Sequence, residues 1–519
     1  MAGSKRPLNT NVLSILLTGL DAHLLQVVAE PTSSPGVLDL VGLTEAQARE
    51  SRVRVRAGLW QIGIDLRHHG LVVRVEPADP PKKGGCLDAA IAMAVLEGIG
   101  QIPPRTLHDT VLRGEVSLTG ALRPIRGILP ALHGAAAHGV TRAIVPAANA
   151  QEAALVPGIR VFAAEHLSDL MRHVREGVLL TTVGGPPPFP GVPPPGLPDL
   201  ADIRGQHSAR RALEIAAAGG HHLLLIGQPG SGKTMLARRL PGLLPPLSLD
   251  EALEITALHS IAGLLPTEVG LLGTRPFRAP HHTVSAAGLG GGGDPVRPGE
   301  VSLAHKGVLF LDEVLEFRRS VLETLRGPLQ EGRITLVQNR VRTSFPARPI
   351  LVAATNPCPC GFAGDGSGRC TCTPERKRAY QARLSGPLID RCDLRTVLPP
   401  VDVTQLQHSS NGEPSSEVQK RVIAARAFQH ERVRQGAKAQ TNAQLSSREL
   451  EQFATPDAAG TRILAQAKEK LSFSPAVSEC VLRVARTIAD LDGSESVRAP
   501  HIAEAAQVVL LPEPTIADI

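Results

Sequence analysis

The sequence predicts an α/β protein organised around a parallel sheet, with a further folded body on each side. Three observations carry this. The apolar runs HHLLLIG (221–227), GVLFLDE (307–313) and PILVAATN (349–356) are short, continuous and end in polar residues. Helical patterns alternate with them, as expected for buried parallel strands whose carboxyl ends line a ligand crevice. The proline- and glycine-rich stretch TTVGGPPPFPGVPPPGLPDL (181–200) reads as a semi-rigid linker, because proline fixes φ and removes a backbone donor. Beyond the polar, turn-rich HSSNGEPSSE (408–417), the segments SEVQKRVIAARAFQHERVRQG and AVSECVLRVARTIADLDG place apolar residues at three- and four-residue steps, the period of amphipathic helices.

The implied division is an N-terminal domain over 1–180, a linker over 181–198, a nucleotide-binding core over 199–402 and a helical domain over 403–519. A chain of 519 residues suits such a division, since domains commonly hold about 100–200 residues. The opening segment MAGSKRPLNTNVLSILLTGLDAHLLQ has too short an apolar patch for a leader and reads as the first strand or helix of a folded domain. No apolar run reaches the ~20 residues needed to span a bilayer, so a cytoplasmic protein with no membrane partner is expected.

The formal net charge of +6 suits a polyanionic partner without identifying one. Aromatic residues are only 2%, which argues against base stacking on an aromatic platform and leaves Arg, Lys and backbone amides to grip any nucleic acid. Seven cysteines over this length are no disulfide framework, and four of them crowd into one loop.

The strongest single motif is GQPGSGKT, formed by Gly227, Gln228, Pro229, Gly230, Ser231, Gly232, Lys233 and Thr234, between an expected strand and an expected helix. Its backbone amides would cradle phosphate oxygens, Lys233 would reach the β- and γ-phosphates, and Thr234 would hold Mg²⁺. The strand ending in Asp312 and Glu313 supplies what phosphoryl transfer also needs, Asp312 for the magnesium shell and Glu313 to polarise the attacking water. ATP and Mg²⁺ are therefore the expected substrate and cofactor.

The series Lys233, Asp312-Glu313, Asn356 after LVAAT, and Arg391 in GPLIDRCDL resembles the Walker A, Walker B, sensor 1 and arginine finger of AAA+ ATPases. The stretch RPFRAPHHTVSAAGLGGGGDPVRPGEVSLAHKGVLFLDEV (275–314), with NPCPCG and RVARTIADL, is similar to the magnesium-chelatase-like branch, specifically the ComM/YifB family. The resemblance implies an AAA+ P-loop NTPase core with an insert in its second helix and a helical lid. It further implies a homo-oligomeric, commonly hexameric, ring in which Asn356 orients the water and Arg391 reaches the neighbour's nucleotide. The position matching the family's sensor 2 arginine falls near Ala476 and Val477, so sensor 2 stays unassigned: Arg483 or Arg486 substitutes from an adjacent helix turn, or the site lacks this contact.

The N-terminal segments PADPPKKGGCLDAAIAMAVL and RGEVSLTGALRPIRGILPALHGAAAHGVTRAIVP resemble the α+β proteolytic domain of Lon. Cys86 falls at the nucleophile and Leu129 at the catalytic lysine. A thiol without its base is a poor catalyst, although Lys82 and Lys83 stand nearby. A non-proteolytic, ring-assembly role is expected.

Cys358, Cys360, Cys370 and Cys372 form two CxC pairs nine residues apart, which suits tetrahedral Zn²⁺, with a free-thiol loop as the alternative. EGRITLVQNRVRTSFPARP reads as a β-hairpin with Arg340 and Arg342 at or near its tip. With Arg275, Arg278, His281, His282 and Arg297 of the glycine-rich insert, these residues would line a channel and contact DNA phosphates, or else form an ordinary solvated face. The ComM/YifB resemblance implies a helicase driving branch migration of recombination intermediates in natural transformation. A chelatase-type ATPase that remodels a protein partner for metal insertion, and an ATP-dependent protease, are the competing expectations.

Overall fold

The computed structural model describes residues 11–77, 85–185, 189, 196–266, 270–338, 341–364, 368–383, 388–400, 412–471 and 474–510. Lys82, Lys83, Arg340, half of the proline-rich linker and the 402/403 boundary lie outside these residues.

The N-terminal body is a mixed eight-stranded sheet in which Val12–Thr18 and Asp21–Thr32 pair antiparallel at the centre. Strand alternation sorts the first of these cleanly: Val12 and Leu16 face one core and Leu13 and Ile15 the other. Helices Glu45–Gln61 and Asp88–Gly98 cover the first face, and Ile128–Ala137 covers the second. Thr181–Thr182 pairs with Arg160–Ala164 at the sheet edge, so the sheet reaches into the span expected to be linker. Backbone pairing along an open edge overrides the turn-rich composition that follows.

The central body is a five-stranded, all-parallel sheet built from β1 (Leu223–Gly227), β2 (Phe277–Arg278), β3 (Val308–Leu311), β4 (Ile350–Thr355) and β5 (Leu394–Leu398). Their spatial order is β2-β3-β4-β1-β5. Every residue of β1, β3 and β4 is buried, because helices cover both faces of the sheet. Helix His207–Gly219 lies between the sheet and the C-terminal helices and shares one apolar core with both.

The C-terminal body is helical: Ser415–Arg434, Ser447–Phe453, Ala458–Leu471, Pro475–Leu491 and Ala499–Val509. Its interior is pinned by Arg486, 2% exposed, which donates to Asp490 and to the carbonyls of Phe453, Ser494 and Glu495. Arg432 and Asn442 donate to the same Asp490 carboxylate. Truncating one member of a buried ionic cluster strands the others, so Arg486→Ala is expected to destabilise this body by about 3 kcal/mol. The measurement is the shift in its denaturant unfolding transition.

The N-terminal and central bodies are packed together directly. Ser260, on helix Leu249–Ala262, accepts the Gly127 amide at 2.9 Å and donates to the Glu152 carboxylate, which also takes the Leu129 amide at 2.8 Å. Burial at this seam pushes the Glu152 carboxyl up, against the hydrogen bonds from Ser260 and Leu129. No helix among the described residues is long and apolar enough to cross a membrane.

Candidate nucleotide site

The phosphate loop begins where β1 ends. A Cβ at Gly227 would lie 2.6 Å from Ser231 Oγ and 3.0 Å from Leu398 Cβ, so only glycine permits the tight turn beside β5. Gly230 and Gly232 take φ of +82° and +93°, and nothing lies within 4 Å of where their side chains would project. The loop therefore encloses open space rather than packed protein. Lys233 Nζ donates to the carbonyls of Gly227 (2.6 Å) and Gln228 (2.9 Å) and to Asn356 Oδ1 (3.2 Å). Burial lowers the pKa of this ammonium, while Asp312 and Glu313 pull the other way. Ser231 Oγ is buried with no hydrogen-bond partner. A cation parked on carbonyls, an orphaned hydroxyl and an open glycine cradle fit a polyphosphate.

The catalytic candidates arrive from the carboxyl ends of neighbouring strands. Thr234 Oγ1 donates to Asp312 Oδ2 at 2.9 Å, so the two residues expected to hold magnesium are already side by side. Glu313 follows with φ +51° and ψ +49°, a left-handed conformation that few non-glycine residues adopt. Asn356 follows β4. Lys233 is thus bonded to Asn356, and Thr234, the next residue, to Asp312. Lys233→Ala removes the cation bonded to both the loop and Asn356 and is expected to weaken nucleotide binding at least tenfold, as titration with a fluorescent ATP analogue would show.

Arg391 stands elsewhere. It precedes β5, whose far end, Leu398, pairs with Gly227. The parallel register therefore puts Arg391 at the amino edge of the sheet, a strand of five residues, roughly 16 Å, from the phosphate loop. An arginine side chain cannot span that gap. Arg391 donates instead to Gln330 at 3.0 Å and lines a cleft of about 2440 Å³ with Arg326, Arg348, Arg395 and Arg483, to which none of Gly227–Thr234 contributes. Arg483 thus lines the same cleft as Arg391, while Arg486 is committed to the interior described above. A buried relay ties the two elements of the cleft: His221 bonds Asp393 through Nδ1 and Thr487, on the Arg483 helix, through Nε2, each at 2.8 Å. Burial would raise the Asp393 carboxyl, but His221 holds it below its usual range. Sequence reading missed this relay, whose only local signal is the His-His pair before β1.

The four loop cysteines converge, with all four sulfurs within 4.8 Å of one another, a cluster that could hold a metal ion. Leu129, at the position matching the Lon lysine, is 3% exposed in the apolar core, and Cys86 is half-buried as a free thiol. The expected hairpin is Arg333–Gln338 paired with Val341–Pro346, with Arg342 exposed opposite Val337. Its Thr343 abuts the N-terminal sheet's Gly19, where a Cβ would approach to 2.6 Å. His281 and Arg297 are exposed, and His282 is half-buried against its neighbour's ring. Two expected DNA contacts face inward instead. Arg278 makes a bidentate pair with Glu300 at 2.6 and 2.7 Å, and Arg275 is held by Glu251 and the carbonyls of Pro245 and Lys306. Both guanidiniums are half-buried and already occupied by acidic partners on nearby helices.

A phosphate loop after β1, an acidic pair after β3, an asparagine after β4 and the order β2-β3-β4-β1-β5 define a magnesium-chelatase-like protein of the AAA+ class. The family model described as "Magnesium chelatase, subunit ChlI" matches residues 199–406, "Subunit ChlI of Mg-chelatase" matches 29–149, and "Magnesium chelatase, subunit ChlI C-terminal" matches 412–508. An uncharacterized protein of Mycobacterium tuberculosis (strain H37Rv) is 43% identical over 494 residues, covering 95% of this chain and 97% of its own. The uncharacterized protein YifB of Escherichia coli K12 is 40% identical over 91% of each chain. The competence protein ComM of Haemophilus influenzae is 38% identical over 94% of each. The chain belongs to this YifB/ComM family. Shorter likenesses are to a Lon protease of Brevibacillus choshinensis, 27% identical over 31% of this chain and 22% of that one, and to the E. coli DNA repair protein RadA, 30% identical over 28% of this chain and 34% of that one.

Proposed function

We propose that the chain hydrolyses ATP in sites shared between copies of a hexameric ring, and that the cycle drives branch migration of DNA during natural transformation. One observation carries the shared-site reading: Arg391 lies a strand's length from its own phosphate loop, so any nucleotide its charge reaches belongs to an adjacent copy. The loop and Lys233 bind the triphosphate, Thr234 and Asp312 hold magnesium, Glu313 accepts a proton from water, and Asn356 orients that water. Magnesium, when bound, neutralises phosphate charge at the reacting centre. Arg391 from the next copy stabilises the charge that develops in the transition state.

Nucleic acid as the track is supported by the family relative named for competence, by the partial likeness to a DNA repair protein, and by the exposed Arg342 hairpin. Arg340, two residues earlier in the sequence, belongs to the same proposed contact. Phosphate contacts suffice for a motor indifferent to sequence, which accords with the scarcity of aromatics. Arg342→Ala is expected to weaken DNA binding uniformly across sequences and to reduce the salt slope by about one.

The second reading, a chelatase-type ATPase that remodels a protein partner for metal insertion, is favoured by the three ChlI-model matches. The deciding experiment measures ATP turnover and strand displacement on forked and three-stranded DNA beside Glu313→Gln. Turnover stimulated by DNA, with displacement lost in the variant, supports the motor. Turnover indifferent to every polynucleotide overturns it. Casein degradation lost in Cys86→Ala would revive proteolysis.

A further inference from the structure

Between Asn356 and the helix Pro374–Ala382, Cys358 and Cys360 meet Cys370 and Cys372, which brings four sulfurs together. Cys358 Sγ lies 3.3 Å from Cys360 Sγ and 3.8 Å from Cys370 Sγ, and the Cys360–Cys370 separation is 3.6 Å. Disulfides would require about 2.0 Å, and all four thiols are free. A tetrahedral ion with metal–sulfur bonds near 2.3 Å has sulfur–sulfur edges of about 3.8 Å, close to these values. Four thiolates select zinc over magnesium or calcium, which take oxygen donors, and the sulfurs leave room for a single ion.

The cluster is built into the nucleotide site. Cys358 is fully buried two residues after Asn356. Gly361 takes φ +85°, and a Cβ there would stand 2.7 Å from Pro229 Cδ, so the loop backbone rests directly on the phosphate loop. On the other side, the helix that starts two residues after Cys372 buries Tyr380 in the apolar cluster that holds Leu351 and Ala353 of β4. Asn356 is therefore flanked by two parts of the chain that the thiols join.

We propose that one zinc ion held by Cys358, Cys360, Cys370 and Cys372 is a positioning cofactor for hydrolysis, fixing the loop that presents Asn356 to the γ-phosphate. The role rests on the ATPase reading above; the zinc site does not. The metal touches no reacting atom. It sets the angle at which Asn356 presents its amide to water, so its loss acts on turnover rather than on nucleotide affinity.

The test uses the full chain purified under reducing conditions without chelator, beside the double variant Cys370→Ser/Cys372→Ser, chosen because these two thiols are partly exposed whereas Cys358 is buried. Zinc analysis is expected to give about one ion per chain for the parent and none for the variant. Cobalt substitution is expected to give the visible bands of a tetrahedral tetrathiolate in the parent alone. The variant is expected to bind a fluorescent ATP analogue as the parent does and to lose roughly 10–100-fold in kcat. Absence of zinc and of the cobalt spectrum in the parent overturns the site. A metal-free variant with parental kcat, or one that loses nucleotide binding and thermal stability together with turnover, overturns the positioning role. A zinc-replete parent with no turnover overturns the ATPase reading and this role with it, and is distinguishable because the metal count stays at one.

Discussion

Arg391→Ala is expected to bind ATP as the parent chain does and to lose turnover by about 10³-fold or more, the range of arginine fingers supplied in trans. The geometry separates the two effects. Lys233, the phosphate loop and Asp312 all lie at the carboxyl edge of the sheet, and none of them bonds Arg391, whose guanidinium donates to Gln330 instead. Removing it leaves the binding contacts of its own copy in place. Mixing makes the test sharper. A chain carrying Lys233→Ala still offers a finger, and a chain carrying Arg391→Ala still offers a phosphate loop, so two inactive variants combined in one ring regenerate complete sites. For random equal mixing, about a quarter of the interfaces pair an intact loop with an intact finger, as head-to-tail contacts require. Recovery of turnover on mixing is the expected result. No recovery, or an Arg391→Ala chain that hydrolyses ATP normally, would show that each copy completes its own site.

Legibility followed the distance over which each feature is determined. The phosphate loop was readable because its demands are local: glycine where φ is positive at 230 and 232, and lysine one residue later. Asp312 and Asn356 were readable because an apolar run ending in a polar residue marks a strand's carboxyl end. The inward turn of Arg275 and Arg278 was not, since their partners Glu251 and Glu300 stand 24 and 22 residues away and only the fold of the insert brings them close. The Glu152–Ser260 seam joins residues 108 apart, and the contact of Gly361 with Pro229 depends on how the cysteine loop folds back. Glycine at 361 hints at a close approach but does not name the surface approached. The boundary at Thr181 was misplaced because a two-residue edge strand leaves almost no periodicity in the sequence.

Position 313 is expected to separate activity from stability in opposite directions. Glu313 sits at φ +51°, where a side chain crowds its own carbonyl, and such conformations cost of order 1–3 kcal/mol. The cost is accepted where β3 ends, with the Glu313 amide turned back to Asp312 Oδ1 at 3.0 Å while Asp312 Oδ2 is held by Thr234 of the phosphate loop. Glu313→Gln keeps the shape, removes the proton acceptor and is expected to lower kcat by about 10²–10⁴-fold while ATP stays bound. Glu313→Gly also removes the acceptor but relieves the left-handed strain, so it is expected to raise the unfolding midpoint of the central body even as turnover disappears. A purely structural turn would give the reverse pattern: Gln with normal turnover, and Gly with no gain in stability. Measuring both variants for kcat, nucleotide affinity and thermal midpoint decides whether the backbone at 313 is strained for catalysis, because only a catalytic carboxylate loses turnover in the isosteric variant while the glycine variant melts higher.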